Sequence, residues 1–469
     1  MLFLLACTDA EPADTAPTAH DTAADTALAL DDTAPPVDTA GPADEAAGVD
    51  GVSARIHEDF GSLVYVSWTQ DHDASAHISY SFDSGEWHTT PVRNVTGGEV
   101  VEQVLLGVPY GEVVSYAVVT DDGSGEQVSA LRTKETDALP LEVLQPTLHV
   151  ADEANWYDGG SYLLTSLNED TGGWTQGTYW AFIIDRKGRV VWARETADHA
   201  WTIYARISLD GDDILLDEAT YWSDFARDGE DGRVVRMKLD GTVEATYAFP
   251  GLHHAWVELG DGLYAYGRAT SDNNEYLSVL DPAKELTTDL WECGAAWSSS
   301  YCQSNSLWYS ETRDSFLYSF YTHDTLVEID RNTGEELHSW GRQSDWTFDP
   351  TTSQFDWQHG ATYTDEGTLL LSTHIDEGSK DCAVREYTVN EAASSLDQIW
   401  SFAVEDGIAC NTAGEAHRLP NGNTLHNYGS GGRTREALPD GSVVWDVEWD
   451  GERLQGRGIW LDDLYTFMP

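Results

Sequence analysis

The chain has 469 residues, with 82 Asp and Glu against 25 Lys and Arg and a formal charge of −57. So acidic a surface repels phosphate backbones and anionic headgroups, which argues against nucleic-acid binding and against electrostatic docking to a membrane. The length exceeds one ordinary core, and 19 Trp and 21 Tyr supply apolar material for two or more domains.

The chain opens Met1-Leu-Phe-Leu-Leu-Ala-Cys7. Leu4-Leu5-Ala6-Cys7 matches a lipobox, in which a small residue precedes the cysteine that is cleaved and lipidated. Residues 1–7 are read as the remnant of a lipoprotein signal, and Cys7 as the lipidation site. The apolar run is short and lacks a basic leader, which fits a start codon upstream of Met1. Thr8 after the cysteine favours the outer membrane of a Gram-negative cell. No later stretch approaches ~18 apolar residues, so the expected membrane attachment is by lipid alone. The protein is expected to be exported, on the periplasmic side or at the cell surface. Residues 8–50, mostly Ala, Asp, Thr and Pro, bury too little to offset their ordering entropy and are predicted to be a disordered tether.

Residues 51–138 change to short alternating strands such as Leu63-Val-Tyr-Val-Ser-Trp68 and Val113-Val-Ser-Tyr-Ala-Val-Val119, with turns such as Asp121-Asp-Gly-Ser-Gly125 between them. A Trp on an early strand and a Tyr on a late one predict a small sandwich of the fibronectin type III or immunoglobulin kind. Such a module is a spacer or docking platform, and a homodimer through it is compatible with the sequence.

Residues 139–469 are repetitive. One unit, a turn into a β-rich run, recurs at Asp185, Leu239, Leu280, Ile329, Tyr387 and Leu438, spaced on the order of 50 residues, the scale of a propeller blade. A second unit, a glycine hairpin, falls between at Leu209–Ile214, Leu259–Leu263, Thr364–Leu369 and Leu419–Leu425. Two hairpins per repeat make four strands, so an all-β, six-bladed β-propeller is predicted. Four cysteines remain after Cys7, an even number that outside the cytoplasm predicts two disulfides. Three pairings exist, and local closure favours Cys293–Cys302 with Cys382–Cys410. No C-x-x-C or H-x-x-H spacing accompanies them and no calcium-loop pattern stands out, so neither metal nor cofactor is expected.

In a propeller the loops leading into the innermost strands face a central pocket. His254 and His359 each stand eight residues before a hairpin glycine, Gly262 and Gly367, and Asn305 takes the matching place with one residue of slack. In the last full repeat that place is Gly414, with His417 nearby. His253 is the less suited of its pair to face the channel. Recurrent histidines also serve propellers structurally, bonded to strand carbonyls or turn aspartates, and that reading stands beside the catalytic one.

The segments His253-His254-Ala-Trp-Val-Glu-Leu, Ser304-Asn305-Ser-Leu-Trp-Tyr, Gln358-His359-Gly-Ala and His417-Arg-Leu-Pro-Asn-Gly-Asn-Thr-Leu425 resemble those of the arylsulfotransferase family, over about residues 145–469. The resemblance implies an exported enzyme that moves a sulfuryl group from a phenolic sulfate ester to another phenol. It does so by a ping-pong cycle through a sulfated histidine, without a nucleotide donor. A neutral imidazole is a good nucleophile, and a covalent intermediate divides the transfer into two steps. By motif match His359 is the nucleophile and His254 an acid/base or oxyanion-donating partner. Asn305, Gln303 and Tyr321 would orient the sulfuryl oxygens. Gln303 and Tyr321 stand where the family has a histidine and an arginine, and His323 or Arg433 could supply the missing cation. Those replacements favour a second reading, a non-catalytic cell-surface propeller that binds a ligand or protein at its central face. No G-x-S-x-G elbow supports serine hydrolysis.

Overall fold

The computed structural model describes residues 42–83, 85–141, 143–168, 179–196, 200–219, 232–270, 274–298, 301–376, 378–451 and 454–469. Cys7 and most of the expected tether lie outside them. The tether itself ends earlier than its composition suggested. Pro42–Ala47 is a short helix and Val49–Ile56 a strand, so residues 42–50 are ordered. Asp44, almost fully buried, pairs with Arg132 at 2.6 Å and accepts the Ala130 N–H. The sequence Pro-Ala-Asp-Glu-Ala-Ala is as plain as the tether before it; the partner that orders it stands 88 residues away. No described helix is long and apolar enough to cross a membrane.

The described chain is almost entirely antiparallel sheet. At the N-terminal end, Val49–Ile56, Val64–Gln70 and Val100–Leu105 form one sheet, while Ala74–Asp83 and Val113–Asp121 centre a second. The alternation B-i-B-i along Val64–Gln70 and Ala74–Asp83 turns every second side chain inward. Trp68, Ile78, Tyr80, Tyr116 and Val118 meet there in one apolar cluster drawn from both sheets.

Beyond residue 147 come six further sheets. The second to fourth are simple four-stranded meanders, for example Ala205–Ile207, Ile214–Glu218, Arg233–Met237 and Val243–Ala248. The fifth and sixth each carry one extra edge strand, Thr347–Asp349 and Thr147–Ala151. The first is built differently: Tyr162–Asn168, Tyr179–Asp185 and Val190–Glu195 are completed by Ile459–Leu461 from the chain's end. Meanders of this kind are the blades of a β-propeller.

The two repeats have distinct places. The turns of the first unit, at 185, 239, 280, 329, 387 and 438, all join a third strand to a fourth, and the glycine hairpins join a first strand to a second. Gly211, Gly262, Gly367 and Gly422 have φ of +82°, +77°, +79° and +89°, a conformation that a Cβ makes costly.

Apolar clusters fill the space from each sheet to the next and from the sixth back to the first, where Leu425, Trp445 and Val447 pack on Leu163, Phe182 and Ile184. Tryptophans on fourth strands add a directional bond. The indole N–H groups of Trp192, Trp400 and Trp445 donate to the carbonyls of Leu239, Pro439 and Arg186, each at 2.8 Å and each on the turn of the following sheet. Trp445→Phe keeps much of the packing but orphans the Arg186 carbonyl. It should cost about 2–3 kcal/mol, read as a lower denaturation midpoint; an unchanged midpoint would remove this bond from the account.

Candidate functional site

The loops and strand ends leading into the first strands enclose a cavity of about 310 Å³. Its aromatic walls come from Tyr204, Tyr301, Tyr321 and Trp357, with His359, Asn305, Asn427, Glu415 and Arg457 among the polar groups. Tyr204 fixes one wall by donating its hydroxyl to the Asn305 carbonyl at 2.5 Å, across from the second sheet to the fourth.

His359 lies at the start of the fifth sheet's first strand, Asp356–Tyr363. Its Nε2 accepts the Ala413 N–H at 3.2 Å, so Nδ1 carries the proton and donates to the Trp357 carbonyl at 3.0 Å. Both backbone partners are non-glycine residues in the left-handed region, Trp357 at φ +49° and Ala413 at +57°. Such conformations cost of order 1–3 kcal/mol each and gather where a site needs its backbone held in one position. Burial lowers the His359 pKa to about 4, with His374 and Arg457 acting in the same direction against the Trp357 hydrogen bond. The imidazole is therefore neutral near pH 7. Tyr321 lies alongside, its ring centre 6.4 Å from that of His359 and nearly parallel to it.

The other expected residues divide. Asn305 lines the cavity, but its Nδ2 is committed to the Gln358 carbonyl at 2.6 Å. Gln303 is buried behind the wall, where its Oε1 accepts from both Tyr301 and Tyr321. Its role is to hold two aromatic walls. His254 lies in strand Leu252–Glu258, and its side chain is outside the described residues. His253 is buried against Glu275 at 3.2 Å. His323 packs on Trp297, outside the cavity lining.

Arg433, expected as a substrate-binding cation, is not at the site. It sits on the third strand of the sixth sheet, where Asp446 takes its Nε at 2.8 Å and Nη2 at 2.6 Å. It is not among the residues that line the cavity, and a bidentate carboxylate already satisfies this guanidinium.

The cation in the cavity is Arg457, which the sequence reading missed. It stands just before the strand Ile459–Leu461, over the Tyr204 ring at 4.2 Å and 3.0 Å from Glu415. Glu415 also pairs with His417. Burial pushes the Glu415 carboxyl up, but Arg457, His417 and Arg206 outweigh it and the net shift is downward. The signal available for Glu415 was its place beside Gly414, the repeat position; Arg457, in Gln455-Gly-Arg-Gly458, had none.

Both expected disulfides are present, Cys293–Cys302 and Cys382–Cys410. Each ends two or three residues before a residue that lines the cavity, Asn305 in one case and Thr412 in the other. His323 and His374 lie near the two pairs, but sulfurs joined to each other offer no thiolate to a metal.

No protein-family model matches this chain, and no curated protein does. Among solved structures it is similar to a Bacteroides caccae protein of unknown function, at 16% identity over 62% of this chain and 94% of that one, with a TM-score of 0.41. Likeness to TolB from Acinetobacter baumannii is 13% identity over 75% and 79%, with a TM-score of 0.45. Virginiamycin B lyase from Staphylococcus aureus gives 9% over 66% and 98%, with a TM-score of 0.38. Likenesses this distant bear on neither substrate nor reaction.

Two measurements follow from the site. Replacing Cys382 and Cys410 by Ser opens a loop with a sequence separation of 28. By chain entropy this should cost about 3–4 kcal/mol, visible as a lower denaturation midpoint whose remaining response to reductant comes from Cys293–Cys302 alone. His359 has a folded pKa of about 4 against an ordinary 6.5, so the unfolded chain binds the extra proton first. Stability from this group is present above pH 6.5 and lost as the pH falls towards 4. The stability of wild type relative to His359→Gln should therefore shrink across that interval; a constant difference would contradict the neutral, half-buried imidazole.

Proposed function

We propose that the six sheets form a closed six-bladed β-propeller and that the N-terminal pair is a fibronectin-like sandwich. The chain would be exported and lipid-anchored through Cys7, and its cavity would transfer sulfuryl groups between phenols. The pairing of Ile459–Leu461 with Tyr162–Leu164 supports closure of the ring. Two disulfides support an oxidising compartment.

The observation that carries the chemical reading is His359 itself: neutral, fixed in its Nδ1–H tautomer, with Nε2 at an aromatic-walled cavity that contains a guanidinium. An aryl sulfate stacks its ring on the tyrosine and tryptophan walls. The Nε2 lone pair attacks sulfur, the N–S bond forms, and the S–O(aryl) bond breaks with its electron pair leaving on the phenolate. The acceptor phenol then attacks sulfur, the N–S bond breaks, and its lone pair returns to Nε2. The proton lost by the acceptor is gained by the departed phenolate, so the transfer balances. Arg457 and the Ala413 N–H, released from Nε2, serve the sulfuryl oxygens.

A second reading rests on one feature. The Nε2 lone pair already accepts the Ala413 N–H, and an occupied lone pair favours a propeller that binds a ligand or protein without chemistry. Incubation with a nitrophenyl sulfate and phenol separates the two. Nitrophenol release that needs phenol, falls by about 10³-fold or more in His359→Asn and by about 10²-fold in Arg457→Gln supports transfer. Folded protein that turns over no donor, yet binds aryl sulfates calorimetrically, supports the binding reading.

A further inference from the structure

Behind His359 stands a group of charges that the proposed chemistry does not use. Asp324 ends the short turn Tyr321–His323 with φ of +44°. Its Oδ1 accepts the Trp357 N–H at 2.8 Å, and its Oδ2 meets Arg342 Nε at 2.7 Å. The same guanidinium reaches Asp356 with Nη2 at 3.0 Å. Asp356 is buried and is itself tied to Thr373, which receives the Asp356 N–H and donates to its carbonyl, both at 2.9 Å. One arginine thus spans two carboxylates from adjacent sheets, and the product is a single fixed peptide. Trp357 is held in the left-handed conformation at its N–H and presents its carbonyl to His359 Nδ1. Burial, with Asp356 close by, raises the Asp324 carboxyl to about 6, which marks how confined the group is.

Without that carbonyl only the 3.2 Å bond from the Ala413 N–H selects the tautomer. Ala413 offers an N–H to Nε2, but a tryptophan relaxed to an ordinary φ turns its carbonyl elsewhere, and Nδ1–H loses its acceptor. We propose that Asp324, clamped to Asp356 by Arg342, is a positioning residue for His359: it fixes the Trp357 carbonyl that, together with the Ala413 N–H, holds the Nδ1–H tautomer and the unprotonated Nε2 at the cavity. The consequence for turnover rests on the sulfuryl-transfer reading; the tautomer itself does not.

The test uses the full chain with 15N-labelled histidine and reads the His359 tautomer by long-range 1H–15N correlation at pH 7. Wild type and Asp324→Asn, which keeps the acceptor oxygen, should both show Nδ1–H. Asp324→Ala should show a mixture of tautomers and at least tenfold faster exchange of the Trp357 N–H. Arg342→Gln, which removes the clamp between Asp324 and Asp356, neither of which lines the cavity, should move both readouts in the same direction and covers the case in which the alanine variant does not fold. Its single-turnover burst with a nitrophenyl sulfate should slow about tenfold, while Asp324→Asn stays within twofold of wild type. An unchanged Nδ1–H tautomer in Asp324→Ala, or in Arg342→Gln where the alanine variant is unfolded, overturns the proposal. Wild-type protein that gives no burst, with the tautomer responses as stated, leaves the positioning role standing and overturns sulfuryl transfer instead.

Discussion

Each of these sheets packs apolar side chains against both neighbours, and at Trp192, Trp400 and Trp445, on the fourth strands of the first, fifth and sixth sheets, that constraint becomes directional. Burying two faces demands a neighbour on each side, yet apolar packing alone would let neighbouring sheets slide. The indole N–H bonded to the next turn removes that freedom. At the sixth-to-first junction the same carbonyl acceptor belongs to Arg186, and its side chain joins the lock. That guanidinium is buried between Glu436, 2.7 Å away, and the rings of Trp460 and Trp156 at 3.6 and 4.8 Å. A charge so placed is costly unless every partner is present, so the junction admits one register.

On that frame the cavity can hold backbone that a looser fold would relax. Trp357 and Ala413 keep unfavourable φ values because their surroundings leave no alternative: a disulfide before one segment and a carboxylate clamp behind the other. Glu275 does similar work on the opposite side. Fully buried, it accepts from the Ser304 N–H and hydroxyl and from Tyr318, and pairs with His253. The segment carrying Asn305 is therefore fixed from below.

The sequence made the turns legible because a positive φ can be met cheaply only by glycine, and such positions repeat. Counting from those glycines brought His359 and Asn305 to one cavity across two sheets. The same counting could not judge Arg433, whose distance from the cavity depends on its being on a third strand. Arg457 was beyond reach for a different reason. It precedes a three-residue strand that belongs to the first sheet, and no repeat announces a strand borrowed from the other end of the chain. Gln303 was legible as a residue of the segment but not as a support for Tyr301 and Tyr321, since a hydrogen bond between side chains leaves no trace in spacing. The end of the tether was hidden in the same way, by the distance between Asp44 and Arg132.

That borrowed strand, Ile459–Leu461, also sets an order of events in time. The N-terminal sheets draw only on residues up to 135 and can assemble as soon as those have emerged. The first sheet of the larger body, begun at Tyr162, stays a strand short until the chain is within ten residues of its end. Arg457 arrives with it, so the cavity gains its cation last. A chain that emerges N-terminus first has no complete cavity until Arg457 is in place, and a truncation of thirteen residues at the far end would remove the borrowed strand and the cation together.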